Sequence, residues 1–423
     1  MHVIVVGAGL MGLSCALQLR RGGAQVTVVE REAGPGLGTS FGNGAMLHAS
    51  LVRPWNGPGV GRELLRSWWR SDAALVVRPR AWPSLAGWGL RFLAASQPAA
   101  HARATQANLK LALHTRRVMR ELREAHGLVY GQRFEGITVV YRHAAALEAG
   151  VQQARAAAAD GVASRRLDAA ALRAHEPALA DARTGFAGAL HYADDEGGDA
   201  HLFCVELARV CAGLGVVLRS GEGVTLQAAR GAAAPVVVLE GRALAGDAVV
   251  LAAGPRSEAL ARPLGLRLPI RPVKGYSITF TPPPGEQVPR VPVVDDEAHA
   301  AVVPVGRDRL RAVGTAEFDG HDLRVNPRRL ALLEDLVHTL YPRLASGLQA
   351  PDTKAWAGLR PVCADGVPLL GPTPVPGLWL CTGHGHLGWT LAAGSGELVA
   401  AAVLGAAPRL ALDGYLLGRF AKA

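Results

Sequence analysis

Val3-Ile4-Val5-Val6-Gly7-Ala8-Gly9-Leu10-Met11-Gly12 opens the chain, runs on through an amphipathic segment to Arg21, and is followed by Val26-Thr27-Val28-Val29-Glu30. This stretch decides the fold. An apolar strand, a turn of the form Gly-x-Gly-x-x-Gly, a helix and a second strand ending in an acid form a dinucleotide-binding unit. Gly7 makes the tight turn, Gly9 lets backbone N–H groups approach a pyrophosphate at a helix N-terminus, and Gly12 permits close helix–strand packing. Glu30, eighteen residues beyond Gly12, is placed to accept hydrogen bonds from a ribose hydroxyl, with Arg31 beside it.

Around this unit the chain has 423 residues, which exceeds one ordinary core, so two domains are expected. The five cysteines (Cys15, Cys204, Cys211, Cys363, Cys381) are odd in number and scattered, with no metal-ligating spacing, and imply a reduced compartment. A strand that begins at Val3 leaves no room for a cleavable signal peptide, and no run of 18 apolar residues suggests a membrane span, so the expected location is cytoplasmic. The formal charge of +10 comes mostly from arginine, but aromatics make up only 5% of the chain and no nucleic-acid-binding module is present, which argues against a nucleic-acid partner.

Strand and helix patterns alternate at both ends of the chain, the mark of an α/β layout. His201 to Leu214 reads as a helix feeding the strand Val216 to Leu218, and Asp247 to Leu251 as a buried strand ending at Ala252-Ala253-Gly254. Between them lie an arginine-rich helical stretch from Ser84 to Val129, short strand-like runs from Ile270 to Val313, and leucines at helical spacing from Leu330 to Leu340. These central pieces read as a second, mixed domain.

Two further segments carry chemistry. After Glu30 the chain enters Gly34-Pro35-Gly36-Leu37-Gly38-Thr39-Ser40-Phe41-Gly42-Asn43-Gly44-Ala45-Met46, a loop suited to wrap an extended ligand with backbone and hydroxyl donors, although a surface loop has the same composition. Near the C-terminus Leu378 to Cys381 reads as a strand, Thr382-Gly383-His384-Gly385-His386-Leu387-Gly388 as a turn, and Trp389 to Leu404 as a helix. A helix N-terminus there suits the negative charge of a reduced flavin. Upstream, Gly358-Leu359-Arg360-Pro361 offers an arginine able to clamp a carboxylate with two parallel hydrogen bonds.

Gly7 to Gly12, Thr39-Ser40 with Asn43, Lys274-Gly275-Tyr276, Gly358 to Pro361, Asp365-Gly366 and Thr382 to Thr390 together resemble the FAD-dependent D-amino acid dehydrogenases. These sit within the amine-oxidising flavoproteins that include D-amino acid oxidase and glycine oxidase. The resemblance spans nearly the whole chain and includes Asp195-Glu196, Gly198-Asp199 and Leu202-Phe203. It implies a discontinuous Rossmann-like FAD-binding domain over 1–80, 145–262 and 350–423. A mixed α+β substrate domain with an antiparallel sheet would occupy 81–144 and 263–349.

The resemblance also implies roles. Thr39, Ser40, Asn43 and Gly44 would meet the FAD phosphates and ribityl chain, and Ala45 and Met46 its reactive edge. Ala253, Gly254 and Ser257 would line the adenine side, Val224 would cover adenine, and Gly383, His384, Gly385, His386, Leu387, Gly388, Trp389 and Thr390 would hold the pyrimidine end. Arg360 would bind the substrate carboxylate with help from the Tyr276 hydroxyl, while His48 and His386 would set the protonation of the amine. For both histidines and for Tyr276 a purely structural place is the competing reading. The implied reaction is hydride transfer from the Cα–H of a D-amino acid, giving a 2-oxo acid and ammonia, with electrons passed to a quinone or another non-oxygen acceptor. Two departures stand out: Asn43-Gly44-Ala45 replaces the usual Asn-Ala-Gly, and Cys363-Ala364 replaces Thr-Pro before Asp365-Gly366. Cys363 does not fall where covalent flavoproteins place their cysteine, so non-covalent FAD is expected.

Trp55, Trp68, Trp69, Trp82 and Trp88 share a short stretch with Arg53, Arg62, Arg66, Arg70, Arg78, Arg80 and Arg91. Such a segment fits a peripheral contact with the inner face of a membrane, or an active-site lid. The open alternatives are an oxygen-using amine oxidase, a D-proline or hydroxyproline dehydrogenase, a flavoprotein subunit of a larger amine dehydrogenase, and a nicotinamide-dependent enzyme.

Overall fold

The computed structural model describes residues 1–62, 75–228 and 234–421. Two sheets organise them. The first has six strands in the order Leu369–Pro372, Leu378–Thr382, Ala248–Leu251, His2–Val6, Gln25–Val29 and Val217–Arg219. It is parallel except at the edge pair of Leu369–Pro372 with Leu378–Thr382. Val3 to Val5 and Val249 to Leu251 are fully buried, as strands covered on both faces must be.

The helices Leu10–Arg21, Pro98–His126, Ala200–Gly213 and Gly388–Val403 bury their apolar faces in this sheet's core. Gly12 lies so close to the turn that a Cβ there would stand 1.8 Å from the carbonyl oxygen of Gly7. At Gly394 of the C-terminal helix a Cβ would stand 2.6 Å from Thr115 Oγ1, so the long helix Pro98–His126 crosses at backbone distance. The Gly394 N–H donates to that hydroxyl at 3.2 Å.

The second sheet has nine strands and is mostly antiparallel. Its order is Lys354–Cys363, Ile270–Phe280, Arg309–Phe318, Ala300–Val305, Val293–Asp295, Ile137–Tyr141, Gly188–Tyr192 and Arg165–Leu167, with Leu75–Val77 added beside Arg309–Phe318. The helix Pro327–Leu340 packs its leucines on one face with Tyr276, Ile278 and Phe280.

The discontinuous α/β unit and the antiparallel sheet match the expectation, but the expected boundaries at 81, 145 and 350 do not follow the strands. Segments 165–167 and 188–192 pair into the nine-stranded sheet, because Leu190 and Ala189 find their ladder partners in Val139 and Val140. The strand Lys354–Cys363 pairs along ten residues with Ile270–Phe280. The helix Pro98–His126, assigned to the substrate domain, buries its apolar stripe in the core of the six-stranded sheet.

A candidate cofactor and substrate site

The carboxyl ends of the parallel strands meet the nine-stranded sheet at a cavity of about 890 Å³. Val6-Gly7, Val29-Glu30, Ala252-Ala253 and Thr382 line it from one side, where ligands of open α/β sheets bind. Gly275, Ala300, Val313 and Trp356 to Pro361 line it from the other.

At the nucleotide end Gly7 has φ +110°, and a Cβ there would stand 2.6 Å from the Ala252 carbonyl oxygen, so only glycine fits. The Glu30 carboxylate accepts from the N–H of Ala8 at 2.6 Å and of Glu32 at 2.9 Å, which fixes it at the end of its strand. Ser40 Oγ accepts from the Leu10 N–H at 3.3 Å, and Thr39 Oγ1 donates to the Leu359 carbonyl at 2.8 Å, joining the glycine-rich loop to the first helix and to the nine-stranded sheet. Asn43 Oδ1 accepts from the Ala45 N–H at 3.0 Å, and the Asn43 carbonyl accepts from the buried Arg311 at 2.8 Å. Arg31, Gly44, Met46, Val224 and Gly254 also line the cavity.

The helices Leu10–Arg21 and Gly388–Val403 both begin without a side-chain cap and without an acid in the first turn. Both starts line the one cavity and lie side by side, a Cβ at Gly388 standing 3.8 Å from Met11, and at the first of them Ser40 takes the Leu10 N–H from the glycine-rich loop. This pair of helix termini without acids, with the glycine cradle around Gly7 and the buried Nδ1 atoms of His48 and His384 that make no hydrogen bond, fits FAD laid across the cavity.

At the other end stands Arg360. Its guanidinium lies against Gly275, where a Cβ would come within 2.2 Å of Nη1, and 5.4 Å from the centroid of Trp55. Nη1 donates to the carbonyl of Thr315 at 2.9 Å. Thr315 sits at a ladder irregularity opposite Gly275 and has φ +57°, an unfavourable conformation for a β-branched residue. Among the described residues no carboxylate pairs with Arg360, and burial lowers its pKa to about 10. A buried cation with N–H donors at a cavity wall has the chemistry to bind a carboxylate.

Three histidines surround the same end. Burial holds His48 down at about 4 and His384 and His386 at about 3, so all are neutral imidazoles at neutral pH. The His386 ring stacks on Trp55 at 4.8 Å, and Arg360 and His48 add to the effect of burial on it. His384 Nε2 bonds with Ser395 Oγ at 2.9 Å, a structural contact.

Tyr276 lines the cavity, but its hydroxyl is committed elsewhere: it donates to Glu317, its ring packs with the helix Pro327–Leu340, and burial drives its pKa upward. The alternation of the pleat puts Gly275, and not Tyr276, under Arg360. Gly12, Ala45, Ser257, Gly383, Leu387, Trp389 and Thr390 stand behind the lining. Ser257 Oγ bonds with Thr382 Oγ1 at 2.9 Å, Trp389 packs against Tyr130 and Phe203, and Thr390 Oγ1 accepts from the His48 N–H at 3.3 Å. Cys363 is fully buried behind the cavity. Trp356, laid over Gly42 and Gly358 where a Cβ would overlap its ring, was not foreseen as a wall, nor was Trp55 as the neighbour of Arg360. The glycines at 42, 275 and 358 were the available signal.

Known proteins resemble the chain end to end. A D-amino acid dehydrogenase of Paramagnetospirillum magneticum is 41% identical over 421 residues, covering 99% of each chain. One from Methylobacterium radiotolerans is 40% identical over 422 residues, covering all of both. Among solved structures, glycine oxidase from Geobacillus kaustophilus superposes with a TM-score of 0.78 at 23% identity, over 99% of this chain and 98% of that one. L-proline dehydrogenase from P. horikoshii does so at 0.76 and 15%, over 100% and 98%. The model of the family described as FAD dependent oxidoreductase matches residues 2–402, and with it and these full-length relatives the chain belongs to that family of FAD-dependent oxidoreductases.

Proposed function

We propose that the chain oxidatively deaminates D-amino acids to 2-oxo acids and ammonia, passing electrons to a quinone or another non-oxygen acceptor. The observation that carries this reading is Arg360: buried, without an acidic partner among the described residues, and flattened between Gly275 and Trp55 at the cavity wall. The names of the relatives support the substrate class. The fold does not decide handedness, since enzymes named for L-substrates share it.

Gly7, Gly9, Glu30, Thr39, Ser40, Asn43 and the turn from Gly383 to Gly388 would hold FAD, which when bound supplies the acceptor for the two electrons and hydrogen of the substrate Cα–H. Arg360 fixes the substrate carboxylate and so aims the Cα–H. His48 and His386, neutral by burial, put no anion beside the amine that would hold it charged and can accept its hydrogen bond, while the positive Arg360 and the dry cavity favour the uncharged amine, whose proton leaves to water as it enters. The resulting imino acid hydrolyses in water.

The acceptor side rests on the helix Trp82–Ala94, which turns Trp82, Leu90 and Leu93 outward near Arg91. Such a face suits the headgroup region of an anionic membrane, where a quinone is available. Trp68 and Trp69 lie outside the described residues. Among the described residues no helix is long and apolar enough to cross a membrane.

The test is the visible spectrum of the purified protein under anaerobic D-alanine and L-alanine. Bleaching by the D isomer is expected, and bleaching by the L isomer alone overturns the reading. Peroxide yield in air against dye or quinone reduction separates oxidase from dehydrogenase. Co-sedimentation with anionic liposomes, unchanged when Trp82 and Leu90 are replaced by Ser, would remove the membrane contact.

A further inference from the structure

The motif Asp195-Glu196-Gly197-Gly198-Asp199 touches neither the carboxylate clamp nor the nucleotide cradle, yet every one of its residues is tied to the loop that carries His48 or to the core beside it. Asp195 is 2% exposed and does not line the cavity. One of its oxygens accepts from the Ala49 N–H at 2.9 Å and the other from the Ser50 hydroxyl. Glu196 and Gly197 pair antiparallel with Leu47 and Met46, and the Gly198 N–H donates to the Ala45 carbonyl at 3.0 Å.

The motif is itself held from behind. Arg123 donates to both oxygens of Glu196 at 2.6 and 3.0 Å, and the Asp199 carboxylate accepts from the N–H groups of His201 and Leu202 to cap the helix Ala200–Gly213. At Gly198 a Cβ would stand 2.9 Å from the rings of Trp389 and Tyr130, so the strand lies flush on the core. From the opposite side Thr390 Oγ1 accepts the His48 N–H. The main chain around His48 is thus gripped at consecutive residues, while the His48 ring faces the cavity, 7% exposed, with no hydrogen bond at Nδ1.

We propose that Asp195 is a positioning residue that fixes the Ala49–Ser50 turn and, through it, the place of the His48 ring over the reacting amine. This rests on the reading that His48 serves the substrate. A short, doubly hydrogen-bonded carboxylate suits the task because it grips a backbone N–H and a side chain of adjacent residues at once, leaving the turn no room to rotate. Its effect on chemistry is then conditional on His48.

A double-mutant cycle tests this in the FAD-loaded protein, with Asp195→Ala, Asp195→Asn and His48→Gln, following anaerobic bleaching by D-alanine in a stopped-flow instrument. Asp195→Ala is expected to slow reduction at least about tenfold while the apparent substrate Kd, set by Arg360, moves less than about threefold. Asp195→Asn keeps an oxygen for the Ala49 N–H and recovers most of the rate. In the His48→Gln background the Asp195→Ala effect falls below about twofold; an equal loss in both backgrounds overturns the proposal. Independently of activity, amide hydrogen exchange over residues 45–52 is expected to quicken in Asp195→Ala and not elsewhere, and unchanged exchange there also overturns it. Ser50→Ala, read by the same exchange, replaces Asp195→Ala if that variant fails to fold. A wild-type protein that no D-amino acid reduces defeats the functional reading, and the exchange measurement then decides the clamp by itself.

Discussion

The guanidinium of Arg360 rests on the bare backbone of Gly275, with Nη1 where a Cβ would stand only 2.2 Å away. The tip of a long side chain yields more easily than backbone, so Gly275→Ala displaces the arginine without unfolding the sheet. Its KM for a D-amino acid should rise at least about tenfold with FAD content unchanged, while Arg360→Lys, which loses the planar fork, should lower kcat/KM by about 100-fold. Steady-state dye reduction measures both, and a Gly275→Ala enzyme with wild-type KM contradicts the clamp.

At the cavity wall the Tyr276 hydroxyl is held by Glu317. Glu317, 1% exposed, accepts from Arg78 at 2.5 Å and from Tyr276, and lies 3.6 Å from the buried Lys274. Glu317→Ala leaves Lys274 with Asp319 and the Arg324 carbonyl, strips Arg78 and Tyr276 of their acceptor, and should destabilise by about 3–5 kcal/mol in denaturant titration. Tyr276→Phe should keep kcat/KM within about threefold. A large loss in Tyr276→Phe would return the hydroxyl to the substrate.

The nucleotide cradle makes a simpler demand. Gly12→Ala drives a methyl group into the Gly7 carbonyl, and backbone cannot step aside as a side chain can. The purified variant should contain little FAD and show a lowered melting temperature that added FAD raises with the logarithm of its concentration. Full flavin content in Gly12→Ala would show that the turn relaxes.

Acid should weaken the fold through the histidines of the cavity. An unfolded histidine binds a proton below pH 6.5, whereas folded His48 resists protonation down to about 4 and His384 and His386 down to about 3. The unfolded state therefore binds more protons across this window, and stability drops as pH falls from 6.5 toward 3. Asp195, raised by burial to about 6, has the opposite sign between 6 and 3.8, since its folded form takes up a proton first. One carboxyl does not offset three imidazoles. Melting temperatures measured from pH 8 to 4 should decline below 6.5, less steeply in His384→Asn; a flat acid limb contradicts the neutral, buried state.

Local chemistry accounts for what was legible in the chain. The turn at Gly7 to Gly12, the acid at Glu30 and the second glycine turn at Gly383 to Gly388 declare themselves because each needs particular residue types at fixed spacing within one strand–turn–helix unit. The place of Arg360 at the cavity wall was legible from its setting in Gly358-Leu359-Arg360-Pro361. What could not be read was pairing across long sequence separations. The side of the pleat to which Tyr276 points depends on the register of three strands, and the membership of 165–167 and 188–192 depends on partners at Val139 and Val140. Trp55 reads as one tryptophan among several until the fold sets it beside Arg360 and His386.

The two helix termini that line one cavity lie at residues 10 and 388, so nearly the whole polypeptide separates them. A chain emerging from the ribosome exposes the first glycine turn early but completes the site only when its last strand and helix are free. Flavin insertion is thereby a late event of biogenesis, and a truncated product, however well its first sheet has begun to form, carries only half a receptor for the cofactor.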